Sequence, residues 1–204
     1  MKRTLFLTSS GLSDSMKELL LNKCGKSFDE LRILLVPTAG IETDAAREGL
    51  AVCLDEFERM GIRNENILVY NLELIPSKTY KRTYSSYVSN PSIISRLITL
   101  EETKSYDAIF VSGGDASVLS REMSRTGFSH ILKDAVNEGL IYIGISAGSM
   151  FAAGNLDDGL HIIPNRIVPH WDGNKINNLP EKLEDILLAD GQAVYIEDDH
   201  YSLL

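Results

Sequence analysis

The sequence predicts an α/β fold, a three-layer α/β/α sandwich in which helices cover both faces of a mostly parallel sheet. Apolar runs of strand length alternate with segments of helical periodicity, which is the order that crossover-connected parallel strands require. The run at 32–36 is almost continuously apolar, as expected for a strand buried on both faces. The 204 residues suffice for one hydrophobic core, so we expect a single domain over 1–204.

In the first half of the chain, most predicted elements have a recognisable start or stop. Thr43 or Asp44 can cap a helix, and Gly61 stops it. The loop at 37–40 ends the strand that precedes this helix. The predicted order is a strand at 4–8, a helix at 15–23, a strand at 32–36, the capped helix up to residue 60, and a strand at 66–70.

The second half continues the alternation up to a turn at Ser146. The polar, tyrosine-rich segment 78–90 is predicted to be a surface loop, with a subunit interface or a substrate lid as alternatives. The predicted elements are a helix at 91–100, a strand at 106–112, a helix at 116–138, a strand at 141–145, a short strand at 167–168, a helix at 179–188, and a terminal hairpin of 192–197 and 201–204.

The turn at Ser146 has the sequence of a nucleophile elbow. An apolar run leads into Gly-Ile-Ser-Ala-Gly, and a helix-compatible segment follows. A serine on such a tight turn needs small neighbours, which Gly144, Ala147 and Gly148 provide. The alternative is an ordinary strand-to-helix turn that happens to contain a serine. Because sites in parallel sheets gather at the carboxyl ends of strands, we expect this turn, the loop at 37–40 and the Gly113 loop at one edge.

A nucleophilic serine needs a general base, and histidine suits that role near neutral pH. Of the four histidines, His130 is predicted to lie in a helix and His200 in an acidic turn, both as surface residues. His170 follows a short predicted strand, where a loop can present the imidazole, and it is the preferred base. His161 remains the alternative.

Acyl transfer also needs donors for the oxyanion, placed before the reaction begins. The residue after an elbow serine commonly supplies one N–H, and here that residue is Ala147. The Gly113–Gly114 pair follows a neighbouring strand and lets the backbone approach closely, so it can supply the second. On its own, the glycine pair would indicate only a tight turn.

Several motifs together resemble a known family, the peptidase S51 family of serine peptidases that includes dipeptidase E and cyanophycinase. The motifs are Pro-Thr-Ala-Gly at 37–40, Gly-Gly-Asp at 113–115, Gly-Ile-Ser-Ala-Gly-Ser at 144–149, Pro-His-Trp at 169–171 and Asp-Gly-Gln-Ala at 190–193. The resemblance extends over nearly the whole chain. It implies a sandwich similar to that of class I glutamine amidotransferases, with serine in place of their cysteine.

The resemblance also implies roles for individual residues. Ser146 would be the nucleophile, His170 the base, and the N–H groups of Gly114 and Ala147 the oxyanion hole. The triad acid of dipeptidase E lies between its serine and its histidine, but that segment is short in this sequence. The candidates for a third acid are Asp157 and Asp158, both of which could be plain turn residues. The acid could also be supplied differently, or a Ser–His dyad could operate without one.

The substrate residues depart from the family pattern. Dipeptidase E recognises an amino-terminal aspartate with an arginine beyond its histidine, whereas no arginine follows Trp171 here. Candidate substrate-binding residues are Thr38, in the loop after the second strand, and Asp115, which could pair with the amino group of a substrate. The substrate side chain therefore stays undefined by the sequence.

Composition and charge exclude several classes of partner. The net charge of −9 argues against nucleic acid and anionic membranes, and no apolar run reaches membrane-spanning length. The amino terminus resembles a first strand more than a signal peptide, so we expect a soluble, cytoplasmic protein. Cys24 and Cys53 lack metal-ligand spacing and are expected to be reduced thiols; no metal and no cofactor are expected. Family relatives include monomers and dimers, so a homodimer remains an option.

These observations favour a serine peptidase that hydrolyses short peptides and resembles dipeptidase E. The alternative is a catalytically weak or inactive S51-like protein that binds a small peptide or a metabolite in the same pocket. An esterase of the α/β-hydrolase type, with His200 as its base, fits this short chain less well.

Overall fold

A central seven-stranded sheet dominates the computed structural model, which describes residues 3–41, 43–76, 96–173 and 185–204. Its strand order is β3-β2-β4-β5-β1-β8-β9, and a separate two-stranded sheet pairs β6 with β7. The strands are β1 (Thr4–Thr8), β2 (Ile33–Val36), β3 (Ile67–Val69), β4 (Ala108–Val111), β5 (Ile141–Ile145), β6 (Arg166–Val168), β7 (Asp185–Leu187), β8 (Ala193–Glu197) and β9 (His200–Leu203).

The first five strands of the central sheet are parallel, whereas β8 and β9 are antiparallel to their neighbours. The carboxyl ends of β1, β2, β4 and β5 therefore lie at one edge, as the sequence predicts. The helices of the described residues are α1 (Asp14–Cys24), α2 (Asp44–Met60), α3 (Leu100–Thr103), α4 (Ala116–Thr126), α5 (Phe128–Asn137) and α6 (Ala147–Ala152).

Apolar side chains are buried on both faces of the sheet. In β1, Leu5 and Leu7 belong to one hydrophobic cluster and Phe6 to the other. The same alternation divides Leu34 from Leu35 in β2. Because both faces are covered, successive positions of these strands must all be apolar, which explains the runs in the sequence and confirms the predicted α/β fold class.

The predicted helix at 116–138 is in fact two helices. Gly127 separates α4 from α5 with a φ of 80°, a left-handed conformation that a helix interior cannot contain. Its N–H still donates to the Met123 carbonyl, so α4 ends on a glycine cap. The apolar periodicity continues across the break, and periodicity alone therefore does not reveal it.

The prediction of a helix at 179–188 is wrong where it can be compared with the structure. Residues 185–187 form β7, which pairs in parallel with β6; residues 174–184 lie outside the described residues. A three-residue apolar stretch is too short for its period to separate strand from helix. The predicted helix at 91–100 is also wrong at its described end, because α3 begins only at Leu100, capped by Thr99. The segment 78–90 lies outside the described residues.

Two further sequence expectations concern thiols and membranes. Cys24 and Cys53 are free thiols, and burial raises their pKa values to about 11 and about 12. Among the helices in the described ranges, none is both long enough and apolar enough to cross a membrane. The expectation of one domain over 1–204 stays a prediction.

Candidate active site

Ser146 stands on a strained turn between β5 and α6. Its φ of 47° and ψ of −103° lie outside the regions that non-glycine residues ordinarily occupy. Two hydrogen bonds hold the turn: the Ser146 N–H donates to the Thr8 carbonyl at 2.9 Å, and the Met150 N–H donates to the Ser146 carbonyl at 3.0 Å. The local structure is therefore the elbow that the sequence predicts.

The two glycines of the elbow are required by close backbone approach. A Cβ atom on Gly144 would stand 2.6 Å from the carbonyl carbon of Gly148, where α6 begins. A Cβ atom on Gly148 would stand 2.2 Å from the Val111 carbonyl oxygen in β4. The first turn of α6 thus packs directly on the sheet, and any side chain at either position would push it away.

Two buried side chains fasten α6 to the strands beneath it. The Ser149 hydroxyl lies 2.8 Å from the Thr8 carbonyl oxygen and 2.7 Å from that of Gly144, and it can donate its proton to either. The Tyr142 hydroxyl donates to the Gly148 carbonyl at 2.7 Å. Burial raises the pKa of Tyr142, so it remains a neutral donor. These contacts fix Ser146 relative to β1 and β5.

His170 reaches Ser146 from the small sheet. Its Nε2 atom lies 3.0 Å from Ser146 Oγ. The His170 backbone has a φ of 56°, and its N–H donates to Ser9 Oγ at 2.7 Å. The next residue is also held, because the Trp171 N–H donates to the Leu188 carbonyl at 2.9 Å. The imidazole is thereby placed by its own backbone contacts.

Asp190 is the carboxylate that contacts His170. Its Oδ1 atom lies 2.7 Å from His170 Nδ1 and accepts a hydrogen bond of 2.9 Å from the Ser9 hydroxyl. The Ser9 hydrogen bond, followed by the contact with His170, lowers the pKa of Asp190 below its ordinary value. The carboxylate form is favoured, so a negative charge faces the imidazole.

Strand register explains how Asp190 arrives at this edge. Because β8 is antiparallel to β1, its first residue, Ala193, lies opposite Thr8 at the end of β1. The loop before β8 therefore meets the loop after β1, and the Ser9 N–H donates to the Gln192 carbonyl at 3.0 Å. In the small sheet, β6 and β7 are parallel and deliver His170 and Asp190 from equivalent ends.

Asp157 and Asp158, the sequence candidates for a third acid, do not contact His170; Asp190 does. Both line a surface groove beside α4 rather than the Ser146 site. The Asp157 carbonyl lies 3.0 Å from Nε2 of His161, the alternative base, which is thus turned to its own loop. The sequence prediction places the acid between Ser146 and the histidine. Asp190 belongs to the Asp-Gly-Gln-Ala motif at 190–193, which supports the family resemblance but does not by itself identify the acid.

The proposed oxyanion loop lies against Ser146. A Cβ atom on Gly113 would stand 3.3 Å from Ser146 Cβ, and one on Gly114 would stand 1.9 Å from the Ala39 carbonyl oxygen. Gly114 has a φ of 129°, which disfavours any other residue. Within the described ranges, no backbone carbonyl accepts from the N–H of Gly114 or of Ala147. Both N–H groups are thus available to a ligand.

A cleft of about 690 Å³ opens beside Ser146 and His170. One wall is α2, with small and apolar residues that include Ala46 and Leu50, and another is the 112–115 loop. Asp115 lines the cleft, although its Oδ1 atom already accepts from the N–H groups at the start of α4. In the part of the chain that the structure describes, no three potential ligand side chains group as a metal site.

Thr38, the other candidate substrate residue, is not in the cleft. Its side chain is fully buried, and its Oγ1 atom accepts a hydrogen bond of 3.1 Å from the Leu72 N–H. The hydroxyl also lies 3.5 Å from Asn71 Oδ1. Thr38 therefore joins the loop after β2 to the turn after β3, and its role in this structure is architectural.

A family model provides the assignment that the geometry suggests. The model for peptidase family S51 matches residues 92–204, which is more than half of the chain and includes Ser146, His170 and Asp190. The chain belongs to peptidase family S51. The matched segment contains β4 to β9, so the elbow, the glycine loop and the antiparallel edge all fall within the match.

Curated relatives of this S51 protein cover shorter stretches. An uncharacterized peptidase of Pasteurella multocida is 28% identical over 39% of this chain and 46% of its own length. A peptidase E of Streptomyces coelicolor is 36% identical over 32% of each chain. The matched part spans less than half of the length of these relatives.

Solved structures show that the fold is shared along the whole chain. The crystal structure of a candidate peptidase E protein from Listeria monocytogenes superposes with a TM-score of 0.65 and 20% identity, covering 100% of this chain and 98% of the other. A peptidase from an acI-B1 actinobacterium gives a TM-score of 0.62 at 18% identity, covering 100% and 88%. At these identities the likeness concerns the fold.

Proposed function

We propose that this S51 protein is a serine peptidase that hydrolyses short peptides. The observation that supports the proposal is a continuous chain of contacts from Ser146 Oγ through the His170 imidazole to Asp190 Oδ1, with distances of 3.0 Å and 2.7 Å. This is the order nucleophile, base and orienting acid that serine hydrolysis requires. All three groups stand at the edge of the cleft or beside it.

In the first step, His170 Nε2 takes the Ser146 hydroxyl proton while Oγ attacks the carbonyl carbon of the scissile peptide bond. The carbonyl oxygen becomes an oxyanion. The N–H groups of Gly114 and Ala147 donate to it, and because they have no backbone acceptor among the described residues they need not break an existing bond. The position of Ala147 at the start of α6 adds a favourable dipole.

Asp190 acts through His170. Its carboxylate accepts from Nδ1–H, which leaves Nε2 as the basic nitrogen and stabilises the imidazolium formed after proton transfer. The imidazolium then gives its proton to the leaving amine as the C–N bond breaks. Water, deprotonated in the same way by His170, attacks the acyl-enzyme, releases the carboxylic acid and restores the Ser146 hydroxyl.

The cleft is compatible with a short peptide. A volume of about 690 Å³ accommodates a few residues; its wall along α2 is mostly small and apolar apart from Thr43 and Glu56, and it is polar near Ser146. Asp115 stands at the polar end, where its negative charge disfavours an acidic side chain and favours the amino group of a substrate. Specificity for aspartyl peptides is therefore not part of the proposal.

The catalytic proposal is favoured over a binding-only relative. The argument for that relative is the lack of an acid for the imidazole, and the position of Asp190 removes it. The test is hydrolysis of a panel of dipeptides and tripeptides by wild type and Ser146→Ala, combined with labelling by a fluorophosphonate probe. Loss of both cleavage and labelling in a folded variant is expected, with Ser105→Ala as a matched control.

Wild type that is folded but neither cleaves any peptide nor takes up the probe would contradict the proposal. Retention of cleavage by Ser146→Ala would instead contradict the assigned nucleophile. Ser105 serves as the control because it is an exposed serine before β4, away from the catalytic edge, whose hydroxyl donates to a local carbonyl, that of Glu102.

A further inference from the structure

One position of α2 has no side chain where the helix faces the cleft. Ala46, Gly49 and Cys53 all line the cleft. Because they are three and four positions apart, they lie on a single face of the helix. A Cβ atom on Gly49 would have no heavy atom of the described residues within 4 Å beyond the helix itself. The wall therefore has an open space at Gly49, which we call the Gly49 gap.

The Gly49 gap lies close to the catalytic edge. A Cβ atom on Gly113 would stand 3.3 Å from Ser146 Cβ. One on Gly40 would stand 3.2 Å from the Gly113 carbonyl oxygen and 3.4 Å from that of Ala46, so the first turn of α2 lies near the loop that touches Ser146. Gly49 follows Ala46 by three residues, a rise of about 4.5 Å along the helix. The gap is thus within reach of the side chain of a substrate bound at the nucleophile.

The side chains around the Gly49 gap are apolar. Leu50, Cys53 and Ile145 line the cleft, and all three belong to or pack against the hydrophobic cluster under α2. Leu50 and Ile145 are only partly buried, so part of their apolar surface faces the cleft and stays in contact with water. An apolar group seated in the gap would remove that surface from water, which is favourable.

The two acidic side chains that line the cleft already have partners. Glu56, at the far end of the α2 wall, pairs with Lys17, with Oε1 and Nζ 2.9 Å apart. The Asp115 side chain accepts from the N–H groups of Ser117 and Val118 at the start of α4. A basic substrate side chain would compete with Lys17 for Glu56, and an acidic one would meet two carboxylates. These contacts favour an uncharged side chain in the gap.

We propose that Gly49 is a specificity-determining residue, and that the gap beside it receives an apolar side chain of leucine or phenylalanine size from the peptide substrate. This inference rests on the proposed peptidase function and adds a substrate class to it. A longer residue at position 49 would fill the space that the substrate side chain needs. The wall lies in α2, before the segment 92–204 that the S51 model matches, so the family assignment does not by itself define this preference.

Five dipeptides test the preference: Ala-Ala, Leu-Ala, Ala-Leu, Lys-Ala and Ala-Lys. The two leucine peptides carry the apolar side chain on opposite sides of the peptide bond, so they also show which side faces the gap. Binding is measured by NMR titration of the Ser146→Ala protein, which makes the result independent of turnover. We expect one leucine peptide to bind about tenfold more tightly than Ala-Ala and than either lysine peptide, in keeping with partial burial of three additional carbon atoms.

A substitution that fills the gap should remove this advantage. Adding Gly49→Leu should reduce it to below about threefold, while the affinity for Ala-Ala stays within about twofold. Ala51→Leu is the matched control, because Ala51 is exposed on the same helix and is not among the described residues lining the cleft. Gly49→Leu should not lower the melting temperature, since leucine favours a helix more than glycine does and its Cβ atom meets no neighbour.

The proposal is overturned if Ala-Ala or a lysine peptide binds as tightly as both leucine peptides, if none of the five binds, or if a folded Gly49→Leu protein keeps the full advantage. Hydrolysis of the same peptides by wild type is recorded separately. Selective binding of a leucine peptide without hydrolysis would contradict the proposed peptidase function while sustaining the Gly49 gap as a binding site. Hydrolysis without any preference for leucine would overturn only the role given to Gly49.

Discussion

The Ser9 hydroxyl donates a hydrogen bond of 2.9 Å to Asp190 Oδ1, although the two residues are 181 positions apart in the sequence. The same Ser9 oxygen accepts the His170 N–H at 2.7 Å. One short side chain at the end of β1 therefore positions both the imidazole and its carboxylate. The relationship depends on the antiparallel pairing of β8 with β1, which brings the two loops together.

Replacing Asp190 by asparagine should lower kcat for peptide hydrolysis by about 10²–10⁴-fold, because an amide can hold the imidazole in the wrong tautomer and cannot stabilise its charged form. KM should change far less, since the Asp190 side chain is not among the described residues lining the cleft. Steady-state kinetics with one dipeptide gives both constants. Asp157→Asn is the matched control and should behave as wild type; an equal loss in that variant would contradict the role given to Asp190.

Replacing Ser146 by glycine should remove activity but make the protein more stable than Ser146→Ala by about 1 kcal/mol, because only glycine adopts the elbow conformation without strain. Alanine at this position must adopt the same φ of 47° and ψ of −103°, so its backbone is strained as much as that of serine. Urea denaturation of both variants measures the difference in free energy of unfolding. An alanine variant as stable as the glycine variant would show that the turn stores no such strain.

The two glycines of the oxyanion loop should respond differently to alanine. Gly114→Ala places a Cβ atom 1.9 Å from the Ala39 carbonyl oxygen at a φ of 129°, so a loss of more than about 3 kcal/mol in stability is expected. Gly113→Ala meets Ser146 Cβ first, at 3.3 Å. It should fold and lose about tenfold or more in kcat/KM. Thermal unfolding and kinetics of the pair test this contrast.

Glu102 should make stability depend on acidic pH. Hydrogen bonds from Arg96 and Thr99 lower its pKa from 4.5 to about 2, with Arg96 the larger cause. Because the folded-state pKa is depressed, the stabilisation is complete well above the unfolded value of 4.5, declines below it, and is lost as the pH falls through about 2. Glu102 is 40% exposed, so solvent screening limits the gain to about 1 kcal/mol or less.

The Glu102→Gln variant tests this dependence. It should be less stable than wild type at neutral pH, and the difference should narrow as the pH falls below 4.5 and vanish only below the folded-state pKa of about 2, as measured by urea denaturation. Glu101→Gln is the matched control on the same helix, where Glu101 pairs with Lys104 at 3.0 Å and the side chain is 82% exposed. A constant difference between Glu102→Gln and wild type across the acidic range would contradict the assignment.

At the sheet edge that carries Ser146, the residues that can be predicted are those marked by a pattern in their own stretch of sequence. The elbow at Ser146 is specified by its own small neighbours and by the apolar strand before it. The presence of Gly113 and Gly114 at the same edge follows from parallel strands, and that inference needs only the order of elements. His170 can be selected because a short strand presents it.

Asp190 cannot be found in the same way, because its position depends on the pairing of two distant segments. The strand β7 is only three residues long, and its apolar residues fit a helical period equally well. No local pattern shows that β8 runs antiparallel and brings its preceding loop to Ser9. The prediction that Thr38 binds substrate fails for a different reason. Thr38 lies near the correct edge of the sheet, but its hydroxyl accepts a hydrogen bond from the Leu72 N–H inside the protein.

The place of β1 between β5 and β8 has a consequence for the order in which the protein assembles on the ribosome. The strand β1 acquires its two neighbours only after the segments at 141–145 and 193–197 have been synthesised. Such distant pairing delays the closure of the sheet. A nascent chain that ends just after His170 contains the serine and the imidazole but lacks Asp190. The proposed catalytic triad can therefore assemble only when the segment that leads into β8 has been synthesised.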